Sequence, residues 1–148
     1  MDRLIDARLL RDVDGKHLCL IQDAGEIVQV RAGERVIQEG DVPQRMVLLL
    51  SGKLEVFAPD PADRDQGKRL ATLNPGDSCG EYGFIDRRPA SASVKAVEDS
   101  EVFVIANDDF NALMHEHPDL ERRVYRNLLQ TLVNRLRASN VLIDLLRT

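Results

Sequence analysis

The sequence is short of cysteine, has no excess of basic residues and contains no long apolar run. Each absence removes a class of protein. Two cysteines in 148 residues, Cys19 and Cys79, form no metal-ligand spacing and read as reduced, buried thiols. The 25 acidic residues outnumber the 20 basic ones, for a net charge of −5. A general nucleic-acid binder needs a basic face to neutralise phosphates, so none is expected here. No stretch approaches the roughly 20 apolar residues of a membrane span. The start, Met1 to Asp6, mixes charges early and has no signal-peptide core, so a cytoplasmic location is expected. No nucleophile–base pair and no glycine-rich triphosphate loop is present, so no enzyme is expected. His115 and His117 flank Glu116 at a spacing that does not share a helix face, so no metal site is expected either.

What is present fits one ordinary globular domain over 1–148, with 43% hydrophobic and 30% charged residues. Three zones differ in pattern. Residues 1–23 read as short helices. Leu4, Ile5, Leu9 and Leu10 supply an apolar face, Gly15 interrupts it, and His17 to Ile21 resumes it, with His17 on the helix surface. Residues 24–106 read as short strands: Ile27–Val30, Val36–Ile37, Met46–Leu50, Leu54–Phe57, Leu70–Leu73, Ser93–Val97 and Glu101–Ile105. The unbroken apolar run Met46–Leu50 is expected to be buried on both faces. Turn triplets such as Glu39-Gly40-Asp41 and Ser51-Gly52-Lys53 separate the strands, which argues for a sandwich, jelly roll or barrel. The polar, proline-rich stretch 59–68 reads as an exposed hairpin loop. Residues 107–148 read as helical. Asn107 is the expected N-cap, and Pro118 closes one helix and opens the next. Gly and Pro are absent from Asp119 to Leu146, a helix of roughly 40 Å.

The most informative stretch is Gly80-Glu81-Tyr82-Gly83-Phe84-Ile85, a short turn, then Pro89-Ala90-Ser91-Ala92-Ser93-Val94. It resembles the phosphate-binding cassette of the cyclic nucleotide-binding domain family. The preceding turns, Ala32-Gly33-Glu34, Glu39-Gly40-Asp41, Leu50-Ser51-Gly52 and Pro75-Gly76-Asp77, keep that family's order, so the resemblance covers roughly residues 9–146. It implies a mainly β fold with helical flanks: a double-stranded β-helix, a jelly-roll-like β-roll, followed by a long C-terminal helix. It also implies a ligand, cAMP or cGMP. Gly80 would let the backbone approach the ligand, and Glu81 would accept from the ribose 2′-hydroxyl. Tyr82 and Gly83 would open a short helix whose N–H groups favour phosphate. Ser91 and the N–H of Ala92 would reach the phosphate.

One position departs from the pattern. Ala90 stands where the family has the arginine that pairs with the cyclic phosphate. A hydrogen bond to a charged group contributes about 1.5–3 kcal/mol, so its loss implies roughly two to three decades of affinity once the unpaired charge is included. Arg87 and Arg88, in the turn before Pro89, are the nearest cations. Two readings follow: either of them swings in, or both are solvated turn residues. If the pocket still works, Ala90→Arg is expected to raise nucleotide affinity by roughly one to three decades. If it has been abandoned, Tyr82 or Arg88 is expected to fill it. Two functions follow: a cyclic nucleotide sensor, or a degenerate fold serving as a dimerisation or protein-interaction module or binding another ligand.

The last helix carries an apolar stripe, with Leu129, Leu132, Leu136, Ser139, Ile143 and Leu146 at heptad a and d spacing. It either packs back on the roll or pairs with its twin, as in the bacterial catabolite activator group. A homodimer is expected. Ser139 and Asn140 stand where that group places polar residues that meet the purine base. The sequence ends at Thr148, after this helix, so a stand-alone sensor acting on an unidentified effector protein, or a fragment of a larger one, is expected, without sequence-specific DNA binding.

Overall fold

The computed structural model describes residues 3–58, 69–81 and 83–147, excepting the side chains of 83–84 and 139–147. Tyr82 and the stretch 59–68 fall outside the described residues.

Eight strands form two antiparallel sheets of four. They are β1 (Glu26–Val30), β2 (Arg35–Ile37), β3 (Arg45–Ser51), β4 (Leu54–Phe57), β5 (Arg69–Leu73), β6 (Ser78–Cys79), β7 (Ser93–Ala96) and β8 (Ser100–Ala106). One sheet has the order β1-β8-β3-β6 and the other β2-β7-β4-β5. Apart from the consecutive pair β4 and β5, neighbours along each sheet are distant along the chain, as in a β-roll. The sequence reading missed β6, whose two residues are too short for a periodic signal.

Period-two alternation explains the core. In β3, Val47 and Leu49 point between the sheets, and Met46 and Leu48 point toward the helices. β8 repeats this with Val102 and Val104 inside, and Phe103 and Ile105 outside. These two paired strands are buried on both faces because helices cover the outer one, which is why their sequences are continuously apolar.

The cover has two sources. A 3-10 turn at Arg8–Leu10 and α1 (Gly15–Ala24) contribute Leu9, Leu10, Leu18 and Ile21. After the roll, α3 (Asn107–Glu116) contributes Phe110 and Met114, and α4 (Pro118–Arg147) contributes Leu120, Val124 and Leu128. Gly15 does not interrupt α1 but begins it, because the Asp14 carboxylate accepts from His17 N–H at 2.8 Å and caps the helix. Asn127 ties α4 to the 3-10 turn by donating to the carbonyls of Leu9, at 2.9 Å, and Arg11, at 2.8 Å. The His17 and His117 rings meet at 5.0 Å between centroids. Arg8 pairs with Asp77 and Arg3 with Glu101, fastening the N-terminal segment to the roll.

Three further expectations are corrected. Cys19 is exposed, and only Cys79 is buried. Ile5 is 62% exposed while Leu4 beside it is buried, because a tight turn points them opposite ways. Asn107 is not a cap. Its side chain makes no capping bond and is buried, donating instead to the Pro43 carbonyl at 3.0 Å. No helix among the described residues is long and apolar enough to cross a membrane.

Candidate functional site

Between β6 and β7 the chain leaves the roll, forms the single-turn helix α2 (Gly83–Asp86), and returns. α2 rests against α3 and β3. Arg87, at φ +55°, follows it and pairs with Asp108 at 3.0 Å, holding the turn to the start of α3. The return strand is pinned from the other side. Ala90 N–H donates to the Asp41 carbonyl at 2.8 Å, and Gly40 N–H donates to the Ala90 carbonyl at 2.9 Å. The Ser93 hydroxyl accepts from Glu39 N–H at 3.0 Å and from Arg35 at 3.2 Å. The Glu39-Gly40-Asp41 turn thus fixes the backbone of the cassette.

A cavity of about 470 Å³ opens beneath this excursion. That is within the usual range for small-molecule sites. Gly80, Glu81, Arg88, Ala90, Ser91 and Ala92 all line it. The walls from the second sheet are apolar, formed by Ile37, Val56, Leu73 and Val94. Arg88 is exposed at the rim, so it does not fill the space. Gly83 belongs to α2, whereas Tyr82 and the side chains of Ser139 and Asn140 lie outside the described residues.

Gly80 has φ +79°, and a Cβ there would stand 2.5 Å from the Arg45 carbonyl oxygen of β3. The strand behind it therefore requires a glycine at this position. The turn it makes sends Glu81 inward.

Glu81 is 3% exposed. Burial raises its carboxyl pKa above the ordinary value, and its own backbone N–H, the Arg135 charge and the Ser78 hydroxyl offset only part of that. Arg135 Nη1 is 4.0 Å from Glu81 Oε1, a loose ion pair. Glu81 Oε2 is buried and has no hydrogen-bond partner among the described residues. Cys79 next door is pushed far up by burial and then by the Glu81 charge, so its thiol stays protonated and unreactive.

Arg135 was not picked out as a site residue by the sequence reading. A signal was available. It precedes Ser139 by one helical turn on the same face.

Residues 27–117 match the sequence profile described as Cyclic nucleotide-binding domain, which is more than half of the chain. The chain belongs to the cyclic nucleotide-binding domain family. It is 34% identical over 114 residues to the Cyclic AMP receptor protein of Thermus thermophilus, covering 77% of this chain and 50% of that one. It is 34% identical over 112 residues to a Pycsar effector protein of Xanthomonas perforans, covering 75% of this chain and 35% of that one. The crystal structure of the Thermus thermophilus catabolite activator protein superposes with a TM-score of 0.79 at 30% identity, over 95% of this chain and 63% of that one. The chain thus spans half or less of the length of those two curated relatives. The excursion from Gly80 to Val94 lies within the matched residues and is the segment whose sequence resembles the family's phosphate cassette.

Proposed function

We propose that this chain is a regulatory sensor that binds a cyclic purine nucleotide, cAMP or cGMP, in the cavity beside Glu81. The observation that carries this reading is the buried Glu81 oxygen without a hydrogen-bond partner at the wall of that cavity. A buried acceptor left unsatisfied costs about 1–3 kcal/mol, so a ligand that donates a hydroxyl there recovers that cost. The ribose 2′-hydroxyl is such a donor. Ser91 and the N–H of Ala92, across the same cavity, suit the cyclic phosphate, and the apolar second-sheet wall suits the sugar and base. The name of the Thermus thermophilus relative, a cyclic AMP receptor, favours cAMP.

In this reading the nucleotide is a signal and undergoes no chemistry, and the chain acts in the cytoplasm on an effector protein, without membrane or sequence-specific nucleic-acid binding. The chain forms a homodimer through α4. Tyr125, Leu129, Val133 and Leu136 are exposed along one side of that helix at spacings of one turn, a self-complementary seam for a second copy. Calorimetric titration with cAMP and with cGMP tests the function. One saturable site per chain is expected for at least one of them. Absence of binding by both at millimolar concentration overturns it and leaves the fold as a dimerisation module.

A further inference from the structure

We infer that the recess where α1 meets the start of α4 is a docking site for an acidic helical segment of a partner protein, held by Arg123 and Arg126. The recess has a volume of about 280 Å³ and shares no lining residue with the cavity beside Glu81. The inference goes beyond the nucleotide reading and does not depend on it. Arg122, Arg123 and Arg126 line one side, carried by the first three turns of α4. The turn before α1 lines the other with Asp12 and Asp14, and Val13 and Leu120 add an apolar surface between them. Two of the acids here are already engaged. Asp119 pairs with Arg122 at 3.5 Å. Asp14 accepts from His17 N–H at 2.8 Å, capping α1, and lies 3.3 Å from the His17 ring nitrogen Nδ1. Asp12 lines the recess but pairs with neither remaining arginine, and the Arg123 and Arg126 side chains have no ion-pair or hydrogen-bond partner among the described residues.

Helix stability does not account for these cations. The N-terminal end of a helix dipole favours anions, so arginines near the start of α4 gain nothing from it. In a chain of net charge −5, two unpaired guanidiniums at one recess are a local surplus of positive charge. Their spacing indicates what they fit. Arg123 and Arg126 are three residues apart on one helix, so their side chains leave one face with Cβ atoms about 5–6 Å apart. Carboxylates three or four residues apart on a partner helix have the same spacing, and a guanidinium fork binds a carboxylate bidentately. Arginine clusters recognise acidic motifs by this pairing. Val13 and Leu120 offer contact to the methylenes of such side chains. A continuous polyanion such as nucleic acid fits less well, because its closely spaced phosphates would also meet Asp12 and Asp119. A segment seated here lies beside the junction that Asn127 fastens, between α4 and the N-terminal 3-10 turn.

The probe is a capped, alanine-based helical peptide with pairs of glutamates four residues apart, and its control carries glutamine at those positions. Each is titrated into the full isotope-labelled chain. The acidic peptide is expected to give saturable amide shifts at Val13, His17, Leu120, Arg123 and Arg126, and the glutamine peptide none. Raising the ionic strength is expected to weaken the binding. Combining Arg123→Gln with Arg126→Gln is expected to weaken it by roughly tenfold, with thermal melting to establish folding and the response to cyclic nucleotides unchanged. Should that double variant fail to fold, Arg126→Gln alone decides, at an exposed position, with an expected loss of about threefold. No saturation by the acidic peptide at millimolar concentration overturns the inference. So does equal binding by the arginine variants. Inorganic phosphate or a short DNA duplex producing the same shifts as strongly as the peptide also overturns it, since the recess would then be a general anion patch. None of these results bears on the nucleotide reading, which the cyclic nucleotide titrations test separately.

Discussion

At the scale of single residues, the site is built from one carboxylate that is buried before any ligand is considered. Glu81 is inward because Gly80 turns the chain against the Arg45 carbonyl, and burial then raises its pKa above 4.5. The protonated form is favoured in the folded state, so this group's contribution to stability is full below about pH 4.5 and is lost as pH rises through its folded pKa. Glu101 acts in the opposite sense. Arg3 and Gln29 lower its pKa, so its contribution is present at neutral pH and is lost in acid. Comparing Glu81→Gln with the natural protein isolates the first effect. The variant is expected to lose less stability between pH 4.5 and 7, because its amide does not ionise. Chemical denaturation across that range checks this, and an identical pH dependence in the two proteins would contradict it. The residue scale is also where the sequence was least complete. Glu81, Ala90 and Ser91 could be read from a local pattern, but Arg135 reaches the cavity from another element, through a contact no local pattern encodes.

At the scale of elements, α4 has two apolar faces, one buried and one exposed. Leu120, Val124 and Leu128 are buried against the core, and Leu132 packs on it, each one turn from the last. Leu129, Val133 and Leu136 face outward. The heptad stripe read from sequence mixed the two by placing Leu132, which packs on the core, with Leu129 and Leu136. A continuous leucine-rich helix satisfies more than one stripe, and only the position of the roll decides which is inside. The two faces predict separable outcomes. Leu128→Ala is expected to cost about 2–5 kcal/mol of stability, as large-to-small core changes do, without removing the outward seam. Leu136→Glu is expected to leave folding nearly unchanged and to shift the chain from dimer to monomer, read by sedimentation equilibrium. A dimer undiminished by Leu136→Glu would contradict the seam. The strands were more legible than the helix. The continuous apolar run in β3 announced burial on both faces, and the glycine-bearing turns marked the ends. β6 escaped because two residues carry no period, and Asn107 misled because a residue type that caps helices also makes good buried hydrogen bonds.

At the scale of the whole molecule, two cores meet on shared strands: one between the sheets, the other between the outer sheet and the helices. β3 and β8 belong to both. The cavity opens from the inter-sheet core, and α4 extends from the helical core across to Arg135. Occupancy of the cavity and placement of α4 therefore bear on each other through side chains that touch. The order of turns along the chain made this architecture readable, since each turn recurs at its family spacing. The depth of the cavity, and the burial of Glu81 within it, could not be read there, because both depend on how far apart the two sheets are held. The central claim, that this cavity takes a cyclic purine nucleotide, is tested most directly by amide chemical shifts of isotope-labelled protein titrated with cAMP and cGMP. The account predicts saturable shifts concentrated at Gly80, Glu81, Ser91 and Ala92 and along α4 around Arg135, reduced when Glu81 is replaced by Ala. Shifts confined to other surfaces, or a spectrum that neither nucleotide alters at millimolar concentration, would contradict it.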